Sequence, residues 1–182
     1  MIKPEFIEFS TPDGLTLPGL LYRAKRSRAV LIYLHGNGSS SIFYDEAKNR
    51  TLATALARKN ISTLFFNNRG AHIIKRLTVR RGGKERRGSF GMAHEKIREC
   101  VHDIDGAVAF LKKQGYRKFY LAGASTGANK ICVYNFYRPK NEIAQNVSVF
   151  KGEGPMLHQL AKRFFAGNQV YFDNFCKAAL KL

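Results

Sequence analysis

The sequence predicts an α/β fold, a mostly parallel sheet with helices on both faces and an antiparallel hairpin at its start. Three observations carry that prediction. Ala29–Leu34, Ile61–Phe66 and residues 119–122 are apolar runs without polar alternation, as expected of strands buried on both faces. The stretches between them place apolar residues every three or four positions, the helical period. After the last run the chain passes through Gly123-Ala124-Ser125-Thr126-Gly127, a serine held between glycines where a strand gives way to a helix.

Taken in order, residues 6–9 and 15–22 read as two strands split by Thr11-Pro12-Asp13-Gly14, a turn whose Asp-Gly supplies the backbone angles of a hairpin. Ala29–Leu34 follows as a buried strand and ends in His35-Gly36-Asn37-Gly38-Ser39-Ser40. Two mechanisms compete for that loop. Gly36-x-Gly38 resembles the start of a dinucleotide fingerprint, but position 41 is Ser and the next strand ends in Asn67-Asn68 rather than in an acid for a ribose. The other mechanism is an oxyanion loop, with a backbone N–H just after the strand facing the serine turn. A plain glycine-rich connection stands beside both.

Residues 42–59 read as a helix through Ala47, Thr51, Leu52, Ala55 and Leu56, and Ile61–Phe66 as the next strand, stopped by Asn67-Asn68-Arg69-Gly70. Residues 71–91 read as a long irregular loop holding Lys75, Arg76, Arg80, Arg81, Lys84, Arg86 and Arg87, with Gly82-Gly83 and Gly88 keeping it flexible. A run of this kind is either a basic lip for an anionic ligand or RNA, or simply a solvated loop. The absence of interleaved aromatics argues against single-strand binding.

Residues 92–114 read as one helix with Ile97, Val101, Ile104, Val108 and Leu111 on its apolar stripe and Glu95, Glu99, Asp103, Lys112 and Lys113 opposite. His94-Glu95 lacks the second histidine of a zinc helix, since residue 98 is Arg98, so His94 and His102 are expected at the surface and no metal is implied. Thr126–Tyr137, apolar nearly all round, reads as the buried central helix. Its start, Gly127-Ala128-Asn129-Lys130, lacks the Gly-Lys-Ser/Thr of a phosphate loop. Residues 146–150 read as one more strand and 156–181 as a helix.

The chain has 182 residues, 45% of them hydrophobic, which suits one domain with a two-sided core. No apolar run is long enough to span a bilayer and the first residues form no signal-peptide core, so a soluble, cytoplasmic protein is expected. Cys100, Cys132 and Cys176 have no close-spaced pair and are expected to pack as small hydrophobes. The net charge of +18 would attract polyanions through a long-range field.

The five residues Gly123-Ala124-Ser125-Thr126-Gly127 form G-x-S-x-G, the pattern of a nucleophile elbow, which lifts a serine oxygen above a sheet at a helix N-terminus. With His35-Gly36-Asn37-Gly38, Asn68-Arg69-Gly70 and the helix segment 100–106, in this order and on these elements, the chain resembles the α/β-hydrolase superfamily, and within it the small esterase and serine aminopeptidase-like members. The resemblance covers about residues 5–154 of a single domain spanning 1–182, with a helical segment at 155–182. It implies a three-layer α/β/α sandwich cut off after about strand 6.

It also implies that Ser125 is the nucleophile of an acyl transfer on a small ester, thioester or amide, with the backbone N–H groups of Asn37 and Thr126 as the oxyanion hole and no cofactor. Arg69 is expected to be structural, pairing with Asp103 or Asp105. The family places its acid after the seventh strand and its histidine after the eighth. After Ser125 this sequence offers only one histidine, His158, within a helical pattern, and the acids Glu142, Glu153 and Asp173. His158 is therefore expected at the surface. The chain is expected to be either a truncated or frame-disrupted hydrolase, inactive or nearly so through loss of the acid and histidine, or a diverged one that recruits another base; base and acid are unassigned. The alternative is a non-catalytic module of the same fold that uses the basic segment from Lys75 to Arg87 for RNA or another polyanion.

Overall fold

The computed structural model describes residues 2–36, 41–44 and 46–149. Their elements are β1 (Pro4–Ser10), β2 (Thr16–Tyr22), β3 (Ala29–Leu34), α1 (Glu46–Ala57), β4 (Ile61–Phe66), β5 (Lys75–Arg81), β6 (Lys84–Phe90), two short 3-10 turns (Met92–His94 and Ile97–Glu99), α2 (Cys100–Lys113), β7 (Lys118–Ala124), α3 (Thr126–Tyr137) and β8 (Ile143–Val149). The expected helix at 156–181, together with Asn37, His158 and Cys176, lies outside the described residues.

Six strands form one sheet in the order β1-β2-β4-β3-β7-β8. β1 and β2 pair antiparallel as the Asp13-Gly14 turn predicts, and β2 pairs antiparallel to β4. β4, β3, β7 and β8 run parallel to their neighbours. Alternate residues of the apolar runs feed two separate cores, as residues on opposite faces of a strand must. Val30, Ile32 and Leu34 of β3 pack with α2 and α3 through Val101, Ile104, Leu111 and Ile131. Leu31 joins Phe65 and Ala122 beneath Leu52 and Leu56 of α1 on the other face. This is the three-layer sandwich, with its sixth strand the last described.

Three expectations need correction. Residues 71–91 are not an irregular loop: β5 and β6 form a regular antiparallel hairpin, Lys75 opposite Phe90 through Arg81 opposite Lys84. Gly82 and Gly83, at φ 56° and 73°, make its two-residue turn, the left-handed pair that a tight hairpin requires. Leu77, Val79 and Phe90 pack on the main core. The helix expected over 92–114 begins only at Cys100. The amides of Gly91, Met92 and Ala93 donate instead to the carbonyls of Arg69, His72 and Ile73, and Ile97 is exposed. Finally, α3 is buried on one side only, since Phe136 and Tyr137 face solvent.

The loop after β4 is fixed by Arg69, whose side chain is 1% exposed. Its Nε donates to Asp103 Oδ1 at 2.9 Å, its backbone N–H to Asp103 Oδ2 at 2.9 Å, and its other nitrogens reach Glu99 at 3.0 Å and Asp13 at 3.0 Å. Burial alone would lower the Arg69 pKa, but Asp103 and then Asp13 outweigh it and hold the guanidinium protonated above its ordinary range. Of the two expected partners Asp103 is the one engaged. Asp105 binds Arg138 and the Tyr134 hydroxyl instead. Replacing Arg69 would strand Asp103, itself 1% exposed. Arg69→Met is therefore expected to cost about 3–5 kcal/mol in urea unfolding. Arg138→Met, which opens a half-exposed pair, should cost less than about 1 kcal/mol.

Candidate active site at the turn after β7

The parallel register sets Leu34 of β3 beside Gly123 of β7, so the loop after β3 and the turn after β7 leave the same edge of the sheet side by side. Ser125 is the residue between β7 and α3, with φ 54° and ψ −125°. A positive φ is costly for any residue bearing a Cβ. Helix α3 starts directly after it, and the amides of Ala128 and Asn129 bond back to the Ser125 carbonyl at 2.8 and 3.4 Å. Ser125 is partly exposed.

The backbones that meet here leave no room for a side chain at two positions and little at a third. A Cβ on Gly127 would lie 2.2 Å from the Leu34 carbonyl oxygen, and one on Gly123 would lie 2.4 Å from the Gly127 carbonyl carbon. On Gly36 it would lie 3.0 Å from Ser125 Cβ and 3.5 Å from Oγ. The glycines of the G-x-S-x-G pattern thus let α3 dock against the end of β3, and Gly36 brings the loop after β3 up to the serine. A dinucleotide cradle is not needed to explain Gly36.

His35 stiffens that loop. Its Nδ1 lies 2.8 Å from the Gly36 carbonyl, which only accepts, so Nδ1 carries the proton. Nε2 then accepts from the Asn68 amide at 3.3 Å. Both nitrogens are occupied, and among the described residues no histidine bonds to the Ser125 hydroxyl. Burial holds the His35 ring at about 4, well below its ordinary value, and it is neutral at pH 7.

Beneath this lies a group of charged residues that sequence reasoning missed. Lys130 of α3 is 1% exposed; its ammonium lies 2.6 Å from Glu95 and donates to Asn68 Oδ1 at 3.1 Å. Lys75, at the base of the β5–β6 hairpin, donates to the Asn68 carbonyl at 3.1 Å, and burial lowers its pKa to about 8. Glu95, expected on an exposed helix face, is 7% exposed and lies against Gly70, where a Cβ would meet its carboxylate at 2.3 Å. Lys130, the one charged residue of that helix, was the one available signal.

His94 is exposed, as expected, whereas His102 is half-buried. Cys100 and Cys132 are buried as expected, and burial pushes the Cys100 thiol up to about 12. Among the described residues no group of three or more His, Cys, Asp or Glu side chains is placed to hold a metal ion, and no helix is long and apolar enough to cross a membrane.

The neutral His35 has a consequence for stability. In the unfolded chain it takes up a proton below about its ordinary value of 6.5, and in the folded chain only below about 4. Between those values the unfolded state binds more protons, so the contribution of His35 is fully present above pH 6.5 and is lost as pH falls toward 4. His35→Gln removes this contribution. Its stability profile against pH is expected to be flatter than wild type across that window, by up to about 1.4 kcal/mol per pH unit, as read by urea unfolding at a series of pH values.

No family model matches the chain, and no curated protein matches it. Solved structures do. The chain is similar to the Pyrococcus furiosus esterase Pf2001, with a TM-score of 0.58 and 20% identity over 97% of this chain and 61% of that one. It is similar to the alpha/beta hydrolase GrgF from Penicillium sp. sh18, with a TM-score of 0.58 and 21% identity over 81% and 45% of the two chains. A third is epoxide hydrolase A from Mycobacterium thermoresistibile, with a TM-score of 0.53 and 16% identity over 80% and 39%. The chain spans between about two-fifths and three-fifths of the length of these structures. With the strand order β1-β2-β4-β3-β7-β8, helices on both faces and the serine turn after β7, it has the α/β-hydrolase fold.

Proposed function

We propose that this chain is, or is part of, a serine hydrolase that transfers acyl groups from a small ester, thioester or amide, with Ser125 as the nucleophile. The observation that carries the reading is the backbone of Ser125, at φ 54° between a strand and a twelve-residue helix. Strain of this kind costs about 1–3 kcal/mol and clusters at functional sites. Arg26, Asn60 and His72 also have positive φ, and what sets Ser125 apart is its place at the apex of a strand-to-helix turn in G-x-S-x-G.

In this mechanism Ser125 Oγ attacks the acyl carbon and gives its proton to a base. The carbonyl oxygen becomes an oxyanion that accepts hydrogen bonds from the backbone N–H groups of Thr126, at the start of α3, and Asn37, which follows Gly36. The collapsing intermediate expels the alcohol, thiol or amine, which takes the proton from the base. Water then gives a proton to the base and attacks the acyl-serine, and the second intermediate collapses to release the acid while the proton returns to Ser125 Oγ. Losing one oxyanion donor typically costs about 10²–10³ in rate. The His35 bond to the Gly36 carbonyl fixes the backbone that leads into position 37, so His35 acts as a positioning residue and not as the base.

The resemblance implies an acid and a histidine after two sheet strands further along the chain than β8, and the base is not assigned to any described residue. No cofactor enters this chemistry. The compartment expected from the sequence is the cytoplasm.

A fluorophosphonate probe tests the assignment, because it reacts with an activated serine and not with an ordinary one. The wild-type chain is expected to be labelled on the peptide containing Ser125, and Ser125→Ala to lose the label. No labelling of wild type, or equal labelling of the variant, would overturn the nucleophile assignment.

A further inference from the structure

Apart from Lys75 at its base, the β5–β6 hairpin is not used in the mechanism proposed for Ser125, and the topology leads it away from that turn. Its base is tied to the end of β4 by Lys75, but its distal half runs over the β1–β2 turn. The Arg80 amide donates to the Gly14 carbonyl at 2.9 Å, and Leu15 bridges Val79. In the sheet β1 and β2 lie on one side of β4, and β3 and β7 on the other. The ribbon therefore extends to the side of β4 remote from Ser125, which separates it from a lip over the candidate active site.

The ribbon divides by chemistry. Leu77, Val79 and Phe90 seat it on the core. Arg76, Arg80, Arg81, Lys84, Arg86 and Arg87 are exposed. Among the described residues only Arg80 of these six has an ion-pair partner, the exposed Glu85. Nothing lies within 4 Å of a Cβ built at either tip glycine.

Guanidinium groups at this density match phosphodiester oxygens, which they grip in pairs. A membrane surface would call for apolar side chains at the tip, and the tip is Arg81-Gly82-Gly83-Lys84. A single strand would call for stacking aromatics, and the ribbon's one aromatic, Phe90, is packed on the core. A protein partner would call for apolar anchors among the charges, and the exposed Ile73 and Ile74 lie before β5, at the base of the ribbon and not among its arginines. A two-stranded antiparallel ribbon is, however, an element that the roughly 12 Å wide major groove of B-form DNA admits. We propose that the β5–β6 ribbon is a docking surface for duplex DNA, holding its phosphate backbone without reading sequence. The proposal stands on the hairpin and is independent of the Ser125 reading.

The test is fluorescence anisotropy of the full chain with a labelled DNA duplex of arbitrary sequence in a salt titration. Engagement of the five cations without a partner predicts a slope of log K on log salt of about −4 to −5. Joint substitution Arg81→Ser, Lys84→Ser, Arg86→Gln and Arg87→Gln should make that slope shallower by roughly 3 to 4 and weaken binding at moderate salt by at least about 100-fold. Fluorophosphonate labelling of the same preparation should be unchanged.

The control removes four exposed cations elsewhere, Lys25, Lys48, Arg58 and Lys113, by Lys→Ser and Arg→Ser changes, and should keep its affinity within about threefold if contact at the ribbon governs binding. Equal loss in the control would assign the binding to diffuse net charge and overturn the proposal. It would equally be overturned by no duplex binding at low salt, or by tighter binding to an RNA duplex, a single strand or phosphatidylserine vesicles.

Discussion

The site depends on one steric constraint, the close approach of three backbones at the carboxyl edge of the sheet. The end of β3, the end of β7 and the first turn of α3 converge so tightly that a Cβ at Gly127 would sit 2.2 Å from the Leu34 oxygen. Contacts that short cannot be relieved by moving a side chain, because the neighbouring atoms are main chain anchored in the centre of the sheet. Ser125 is held in its unfavourable conformation by this geometry, and the same geometry brings Gly36 against it.

Two buried ionic groups tie the loops around that point to the rest of the fold. Arg69 gathers carboxylates from the β1–β2 turn, the 3-10 turn before α2, and α2 itself. Lys130 gathers Glu95 and Asn68 behind the serine turn. Each removes charge from water, so neither is a large net source of stability. Each instead makes alternative loop placements costly, since any displacement strands a buried charge. Their shared effect is to place the His35–Asn68 contact, and with it the loop after β3.

The sheet was legible in the sequence because β3, β4 and β7 are buried on both faces and carry no polar alternation to confuse the pattern. The serine turn was legible because G-x-S-x-G places glycine where the backbones touch. The β5–β6 hairpin was not: its alternation is confined to Leu77, Val79 and Phe90, and the arginines between them hide it. Arg81-Gly82-Gly83-Lys84 did hold a hairpin turn that charge counting obscured. The false start of α2 has another cause. Ile97 fits the helical period, but the amides of residues 91–93 are claimed by the loop after β4. The Lys130–Glu95 pair joins residues far apart in sequence, and no local pattern announces it.

The fold forces backbone strain onto Ser125, the residue proposed as the nucleophile. Comparing the urea stability of Ser125→Gly with that of Ser125→Ala isolates the backbone cost, since both lack the hydroxyl and only alanine keeps the Cβ. The account predicts that the glycine variant is the more stable by about 1–2 kcal/mol. Equal stability, or a less stable glycine variant, would contradict it.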